Sequence, residues 1–467
     1  MDLEKLKESE IHVVGVSGAE GSSLALFLSD LGATNVIGHD FKQPTDFRKS
    51  FFSYHDNLSL LQKKRLFARL VKSLKAIRFK NNYLSGLEKA DLIFAPSSWF
   101  RYSKNKKLTT YKLWSWYNLL LEFFPGTVIG VTGTAGKGTV TNLIYQILLA
   151  RPSSKSEGGK AQKKQVFLMG DSWHYSDLNK IIKAGHQAIV VAEVNNRVLT
   201  FARHSQKSPR ICVITNILRH HLDDHGNSFS RYKKVKLELA RYQKPGDILL
   251  VNADDPELKK INWPSSAKFY SLSQGFKFKL TNPYFKNEHL LSDALAAAKV
   301  GKIFKASDQV IAGVLNNFKP RTGRFQTIRK YRGITFINDS AATRPKTTVF
   351  AIKACPADKT ILILQGYRKN PQNVKADYLH LLQIINKSKV KHVFVSGQIS
   401  DYLLPLIKKG YANISLTKSL EESVKQAWQC AKSGDVILLS PANESFGEFS
   451  DYRDRGQKFL TLVKNLK

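Results

Sequence analysis

The chain has 467 residues, 42% of them hydrophobic, and carries 73 Lys and Arg against 37 Asp and Glu, a formal net charge of +36. That length suits about three domains, each able to bury a core, and the three widely spaced cysteines (Cys212, Cys355, Cys430) exclude a disulfide framework and a C-x-x-C metal site and favour a reducing cytosol. No apolar leader opens the sequence and no apolar run reaches membrane-span length, so a cytoplasmic protein without stable membrane insertion is expected.

Residues 11–40 read as strand, turn, helix, strand: Ile11-His-Val-Val-Gly-Val16, then Gly18-Ala-Glu-Gly21, then a helix with Leu24, Leu26, Phe27 and Leu31 on one face, then Asn35-Val-Ile-Gly-His-Asp40. An acidic residue closing the second strand matches a dinucleotide-binding layout, but Val16 stands where its first glycine would fall, so a generic Rossmann-like turn is the better reading. Residues 60–80 predict one basic amphipathic helix with an apolar face of Leu66, Phe67, Leu70, Val71, Leu74 and Ile77. Such a helix can lie on a membrane or a nucleic-acid backbone, and more commonly packs on a sheet and solvates its lysines.

The stretch from Thr127 to Thr139 is the most informative in the chain. An apolar run (Val128, Ile129, Val131) breaks into Thr132-Gly-Thr-Ala-Gly-Lys-Gly-Thr139, and a helical pattern follows with Val140, Leu143, Ile144, Ile147 and Leu148 on one face. Strand, glycine turn and helix make a phosphate loop: glycines let backbone N–H groups point at phosphate oxygens, and the helix N-terminus adds a positive dipole. Gly133, Thr134, Ala135, Gly136, Lys137, Gly138 and Thr139 are therefore candidate nucleotide contacts, with Lys137 reaching the β/γ-phosphates and the Thr139 hydroxyl available to Mg²⁺. Residues 151–164 predict a mobile loop.

Apolar runs at Gln165–Leu168, Ala188–Ala192, Ile211–Ile214 and Ile248–Val251 imply an open, mostly parallel sheet, and polar residues gather at their ends: Glu193, then Asn216, His220, His221 and Asp223, then Asn252-Ala-Asp-Asp255. Carboxylate and imidazole beside a phosphate loop make a plausible magnesium site. A third α/β unit starts near Pro320, with strands at Ile334–Ile337, Thr360–Leu364, His392–Val395 and Val436–Leu439. The fold class expected is α/β in three domains: a Rossmann-like domain over 1–122, a central phosphate-loop domain over 123–319 and a C-terminal Rossmann-like domain over 320–467. The positive charge is spread along the whole chain without a nucleic-acid-binding motif, and reads as compositional bias; no nucleic-acid partner is expected.

Taken in order, these motifs resemble the Mur ligases, the ATP-dependent amide-bond-forming enzymes of peptidoglycan synthesis, and within them the branch that adds D-glutamate to UDP-N-acetylmuramoyl-L-alanine. Thr132-Gly-Thr-Ala-Gly-Lys137 resembles the family's T-G-[TS]-N-G-K loop. Glu193 matches its magnesium-binding glutamate, His221-Leu-Asp-Asp-His-Gly226 its D-H-L-D-x-H-G segment, and Lys236 its carbamylated lysine. The resemblance implies ATP and two Mg²⁺ ions, with Thr139, Glu193, His221 and Lys236 at the metals, Lys137, His221 and Lys236 as catalytic residues, and Arg324 and Asp339 contacting ATP. In the last domain, Asn338-Asp-Ser-Ala-Ala-Thr343, Gly366-Tyr-Arg-Lys369, Leu439-Ser-Pro-Ala-Asn-Glu-Ser-Phe446 and Asp451-Tyr-Arg-Asp-Arg-Gly456 resemble the D-glutamate branch. They imply that Thr343, Lys369, Ser445 and Tyr452 hold D-glutamate, while Gly18, Gly21, Asp40 and Asp171 serve the UDP-substrate. A monomer is expected.

The chain departs from the family at Gly138, His220, Leu290, Asp171 and Arg197. Gly138-Thr139 is nearer the K-G-S of folylpolyglutamate synthetases, which makes Thr139 the hydroxyl donor at the metal. The implied chemistry is phosphorylation of a substrate carboxylate by ATP, then displacement of phosphate by an amine. A folylpolyglutamate-type ligase and a catalytically impaired nucleotide-binding relative are the competing readings.

Overall fold

The computed structural model describes residues 3–55, 58–97, 107–108, 110–152, 165–170, 175–219, 222–366, 375–401, 403, 413–445 and 447–466. The chain forms two compact units, Met1–Phe278 with Ser292–Val314, and Lys279–Leu291 with Leu315–Lys467.

The first unit holds two parallel sheets. In one, β1 (Ile11–Val14), β2 (Val36–Asp40), β3 (Ala76–Phe79), β4 (Leu92–Phe94) and β5 (Leu113–Trp114) lie in the order β3-β2-β1-β4-β5. Every residue of β1 and β2 is buried, as a strand covered on both faces requires. The helix Ala19–Asp30 follows β1 so tightly that a Cβ on Gly21 would lie 2.2 Å from the Gly15 carbonyl oxygen.

The basic helix is shorter than its periodicity predicts. It spans Leu60–Ser73, opened by a reciprocal capping box between Ser59 and Gln62, and the chain is extended from Leu74. Residues Ala76–Phe79 pair in parallel with β2 instead. An open sheet edge takes the backbone and overrides the helical pattern, so Ile77 belongs to a strand, and Val71 is exposed rather than inward. The remaining expected face (Leu66, Phe67, Leu70, Leu74) does pack on the core.

The second sheet comprises β6 (Thr127–Thr132), β7 (Val166–Met169), β8 (Ile189–Glu193), β9 (Ile211–Ile214), β10 (Ile248–Asn252) and β11 (Lys268–Tyr270), in the order β11-β10-β9-β6-β8-β7 and parallel throughout. β6 is interior, and the ends of β8 and β9 flank the loop that follows it. That is where ligands bind in open α/β sheets. The helix Lys137–Ala150 buries Val140, Leu143, Ile144, Ile147 and Leu148, the stripe its spacing predicts. Most of the expected loop at 151–164 lies outside the described residues.

The second unit is built on β12 (Gln326–Tyr331), β13 (Ile334–Asn338), β14 (Thr360–Gln365), β15 (His392–Ser396), β16 (Ile414–Leu416) and β17 (Val436–Leu439), in the order β12-β13-β17-β14-β15-β16. β12 is an antiparallel edge and the other pairs are parallel. Because β17 lies between β13 and β14, the loops leaving these three strands emerge side by side. Among the described residues no helix is long and apolar enough to cross a membrane.

Candidate active site

β6 ends in a loop that only glycine can build. Gly133 has φ 151° and Gly136 φ 80°; a Cβ on the first would fall 1.9 Å from Thr215 Oγ1, and on the second 2.1 Å from Asp293 Oδ1. Gly136 caps the helix Lys137–Ala150 without a side-chain hydrogen bond, so the first-turn N–H groups, which lack acceptors within the helix, are left for an anion. The loop is held from β9: Asn216 Oδ1 accepts from the N–H groups of Thr134 (3.1 Å) and Ala135 (2.9 Å), Asn216 Nδ2 donates to the Ala135 carbonyl (3.0 Å), and Thr215 Oγ1 donates to the same carbonyl (2.8 Å). The Thr134 and Tyr232 hydroxyls share a 2.9 Å hydrogen bond. Lys137 Nζ folds back on the Thr134 carbonyl at 3.2 Å, and Thr139 stands half-buried on the first helical turn.

Three titratable side chains surround this loop. Lys236, on the helix Phe229–Leu237, is 1% exposed and donates from Nζ to the Gly133 carbonyl (2.9 Å) and Thr132 Oγ1 (3.3 Å). Burial and the neighbouring Lys137 push its pKa well below the usual lysine range, against the opposing attraction of Glu193. Glu193 closes β8, and its buried Oε2 has no hydrogen-bond partner among the described residues. A Cβ on Gly138 would lie 3.1 Å from that oxygen. Asp293, on the helix Glu288–Ile303, is 2% exposed, and its Oδ2 is likewise without a partner. Burial holds its carboxyl well above the usual carboxylate range, with Lys137 pulling the other way.

Sequence reasoning did not single out Asp293. Its signal is an acid at i, i+4 and i+7 with the buried Ala297 and Val300, in register with an apolar stripe. His221 and Asp171 lie outside the described residues. The turn Leu222–His225 that follows His221 is fastened by Arg197, whose guanidinium grips Asp224 at 2.9 and 3.2 Å, and by Asn196 Nδ2, 3.0 Å from His225 Nε2. In the first sheet, Gly18 caps the helix that Gly21 brings against β1. The fully buried Asp40 accepts from the N–H groups of Ser17 (2.8 Å) and Lys42 (3.1 Å), tying the loops after β1 and β2 together.

In the second unit the organising residue is Arg455, fully buried on the helix Tyr452–Lys464. Nη1 donates to the Gln365 carbonyl (2.9 Å) and Oε1 (3.0 Å), and Nη2 to the carbonyls of Ser340 (2.9 Å) and Asn443 (3.0 Å). One guanidinium thus clasps the loops leaving β13, β14 and β17. Thr343 and Ser445 lie on two of these loops, and Tyr452 opens the helix that carries the clasp; Lys369 lies outside the described residues. Gly456 is required beside it, since a Cβ there would meet Ser340 Oγ at 2.5 Å. Burial lowers the Arg455 pKa to about 9, opposed by Glu448 and Asp339. Asp339 accepts from the Phe325 N–H (3.0 Å) and the Ser440 hydroxyl (2.8 Å); burial raises its pKa to about 7, against those bonds and Arg324. Arg455 lay inside a quoted motif yet was passed over. A cation in register with Phe459 and Val463 on a buried stripe was the available signal.

A glycine-built loop between a central parallel strand and a helix N-terminus defines an α/β protein of phosphate-loop type. Residues 131–317 match the family model of the Mur ligase middle domain and residues 323–443 that of the Mur ligase glutamate ligase domain. The UDP-N-acetylmuramoylalanine–D-glutamate ligase of Caldanaerobacter subterraneus is 27% identical over 99% of this chain and 100% of its own. That of Acetivibrio thermocellus is 30% identical over 75% of this chain and 76% of its own. The MurF ligase of Thermotoga maritima, solved with ADP, superposes with a TM-score of 0.57 at 18% identity, covering 86% of this chain and 93% of that one. The chain belongs to the Mur ligase family, whose members are ATP-dependent ligases.

The residues present fit such ligands. Unclaimed first-turn N–H groups and Lys137 suit a nucleotide phosphate, and the orphaned Glu193 Oε2 beside the loop suits a divalent cation. Among the described residues no three His, Cys, Asp or Glu side chains converge on one metal position.

Proposed function

We propose that this chain is the ligase that joins D-glutamate to UDP-N-acetylmuramoyl-L-alanine at the expense of ATP. What supports the reading is the Arg455 clasp, which brings together the loops carrying Thr343 and Ser445, taken with the D-glutamate-adding activity in the names of the two relatives above. In this assignment the first sheet, around Gly18, Gly21 and Asp40, takes the sugar nucleotide. The central sheet takes ATP on Gly133–Thr139, with Arg324 and Asp339 as further contacts. The third sheet takes the amino acid through Thr343, Lys369, Ser445 and Tyr452. Thr139, Glu193, His221 and Lys236 would hold Mg²⁺, which supplies charge neutralisation at the transferring phosphoryl group.

The chain's own residues do the rest. Lys137 places a cation where phosphoryl charge develops, and Asn216 fixes the loop before the ligand arrives, so little reorganisation is needed at the moment of transfer. The lone pair of the neutral Lys236 amine forms an N–C bond to CO₂ and one N–H proton passes to solvent, leaving a carbamate as an anionic oxygen donor. Two acceptors at Nζ match the two N–H groups of an uncharged amine.

The test is ADP release from ATP and UDP-N-acetylmuramoyl-L-alanine with D-glutamate, L-lysine and D-alanine offered separately, and from a folate with L-glutamate, using Lys137→Ala as the blank. Turnover with D-glutamate alone is expected. Turnover with L-lysine or folate would reassign the substrate. Nucleotide binding without turnover would favour an impaired relative.

A further inference from the structure

The helix Leu60–Ser73 has one face the fold uses and one it does not. Leu66, Phe67, Leu70 and Leu74 pack on the core, with the Phe67 ring 5.3 Å from those of Phe47 and Phe51. At 100° per residue, Leu60, Val71, Lys64, Leu61, Lys72 and Arg65 follow one another over an arc of about 140° that begins beside Phe67 and turns away from the core. All six are exposed, Leu60 by 60%, Leu61 by 58% and Val71 by 44%. Three large aliphatic side chains are thus interleaved with three cations. The helix contains no Asp or Glu, and between residues 47 and 87 the sequence places ten Lys and Arg against a single acid, Asp56. Of the helix's other cations, Arg69 pairs with Asp30 and Lys63 Nζ donates to the Phe52 carbonyl at 3.0 Å, leaving the outer three as the charge of this face.

We propose that this face docks reversibly on an anionic lipid surface. Leu60, Leu61 and Val71 enter the boundary between headgroups and acyl chains, and Lys64, Arg65 and Lys72 meet lipid phosphates. The mixture favours lipid over nucleic acid. Aliphatic side chains gain nothing from a phosphodiester backbone, which rewards aromatic or hydrogen-bonding groups, whereas they gain directly from acyl chains. Three aliphatic contacts on a helix already packed on its other side give shallow attachment, and charge complementarity supplies the selectivity.

The assay is flotation of the full-length protein with phosphatidylcholine vesicles, with and without phosphatidylglycerol, at ionic strengths of about 0.1 M and about 1 M. Binding only to the anionic vesicles, and only at the lower salt, is expected. Each surface cation contributes about fivefold to partitioning, so Lys64→Glu/Arg65→Glu/Lys72→Glu should lose roughly a hundredfold or more. Leu60→Ser/Leu61→Ser/Val71→Ser should also bind measurably less. Both variants alter exposed positions, so wild-type melting and wild-type ADP release with soluble substrates are expected of them. Reversal of three exposed lysines elsewhere (Lys277→Glu/Lys279→Glu/Lys286→Glu) is the control for overall charge. The proposal fails if phosphatidylcholine alone binds as well, if no vesicle binds, or if the control loses as much as the helix variant. It fails too if the serine variant binds like wild type while duplex DNA competes for the same lysines, which would make the face a polyanion site.

Discussion

Replacing Asp293 by Asn asks whether the phosphate loop encloses a protonated carboxyl. Asp293 is 2% exposed, one of its oxygens has no hydrogen-bond partner among the described residues, and burial outweighs the attraction of Lys137 in holding its pKa high. In the unfolded chain the same group ionises near pH ~3.9. A folded pKa above the unfolded one means that the protonated acid is the form the fold accepts. The associated stability is therefore fully present below about pH 4 and is lost as pH rises toward the folded pKa, by up to about 1.4 kcal/mol per pH unit. Asn has the same shape and no charge to desolvate. Denaturant unfolding followed by tryptophan fluorescence between pH 4 and 8 should give two curves that nearly coincide at the acid end. Asp293→Asn should then become progressively the more stable, with a slope approaching about 1.4 kcal/mol per unit. A protonated Asp293 carries no charge to oppose an anion on the loop, so ATP should bind the Asn variant and wild type alike near neutrality. A stability difference independent of pH, or a less stable Asn variant at pH 7, would refute the reasoning.

Lys236→Ala should lose most ADP release and recover part of it with added acetate, which replaces the carboxylate of a carbamate; full activity in CO₂-depleted buffer would remove that role. Thr139→Val should lower kcat strongly while Gly138→Ser is tolerated, since the nearest atom a Cβ at 138 would meet is at the end of the Glu193 side chain, Oε2 at 3.1 Å, rather than backbone; the reverse pattern would place the metal hydroxyl elsewhere. Arg455→Lys should destabilise the second unit by about 3 kcal/mol or more, because an ammonium cannot replace four charge-assisted bonds fanned across three loops. It should also raise KM for the amino acid more than for ATP, and equal KM values with an unchanged Tm would dismiss the clasp. Burial lowers the His39 pKa to about 4, with its Nε2 2.9 Å from His12 Nδ1. The stability it contributes is present above about pH 6.5 and lost as pH falls toward 4, about 3 kcal/mol in all. Urea midpoints of wild type and His39→Gln should converge over that window, and parallel curves would count against it.

The interior of the central and third sheets was legible in the sequence because a strand covered on both faces must be a continuous apolar run. β6, β8, β9 and β10 of the central sheet, and β13, β14, β15 and β17 of the third, fall within a residue of the runs that announce them. Of the strands that went unread, β4 is an interior strand of three residues, too short to show a period, and β3, β5, β11, β12 and β16 are edges. β3, β11, β12 and β16 are largely exposed or only partly buried, so no burial period marks them, and β3 was absorbed into a helix that ends at Ser73. The phosphate loop was legible because its glycines are a chemical necessity. Asp293 was not, because it reaches the loop from a helix about 160 residues further on, and only the folded sheet brings the two together.

The central and third sheets solve one problem in the same way and diverge in one atom type. In each, a buried basic side chain holds the backbone of a loop by its carbonyl oxygens: Lys236 at Gly133, and Arg455 at Ser340, Gln365 and Asn443. A guanidinium resists losing its proton, so even with its pKa lowered to about 9 Arg455 stays charged at neutral pH and can only be a structural clasp. A lysine in the same kind of burial has its pKa pushed well down by desolvation and by Lys137, which favours an uncharged, nucleophilic amine, against the pull of Glu193. A reactive group therefore belongs at the phosphate loop and an inert one under the loops proposed to take the amino acid. Exchanging the two residue types would cost the first site its chemistry and the second its geometry.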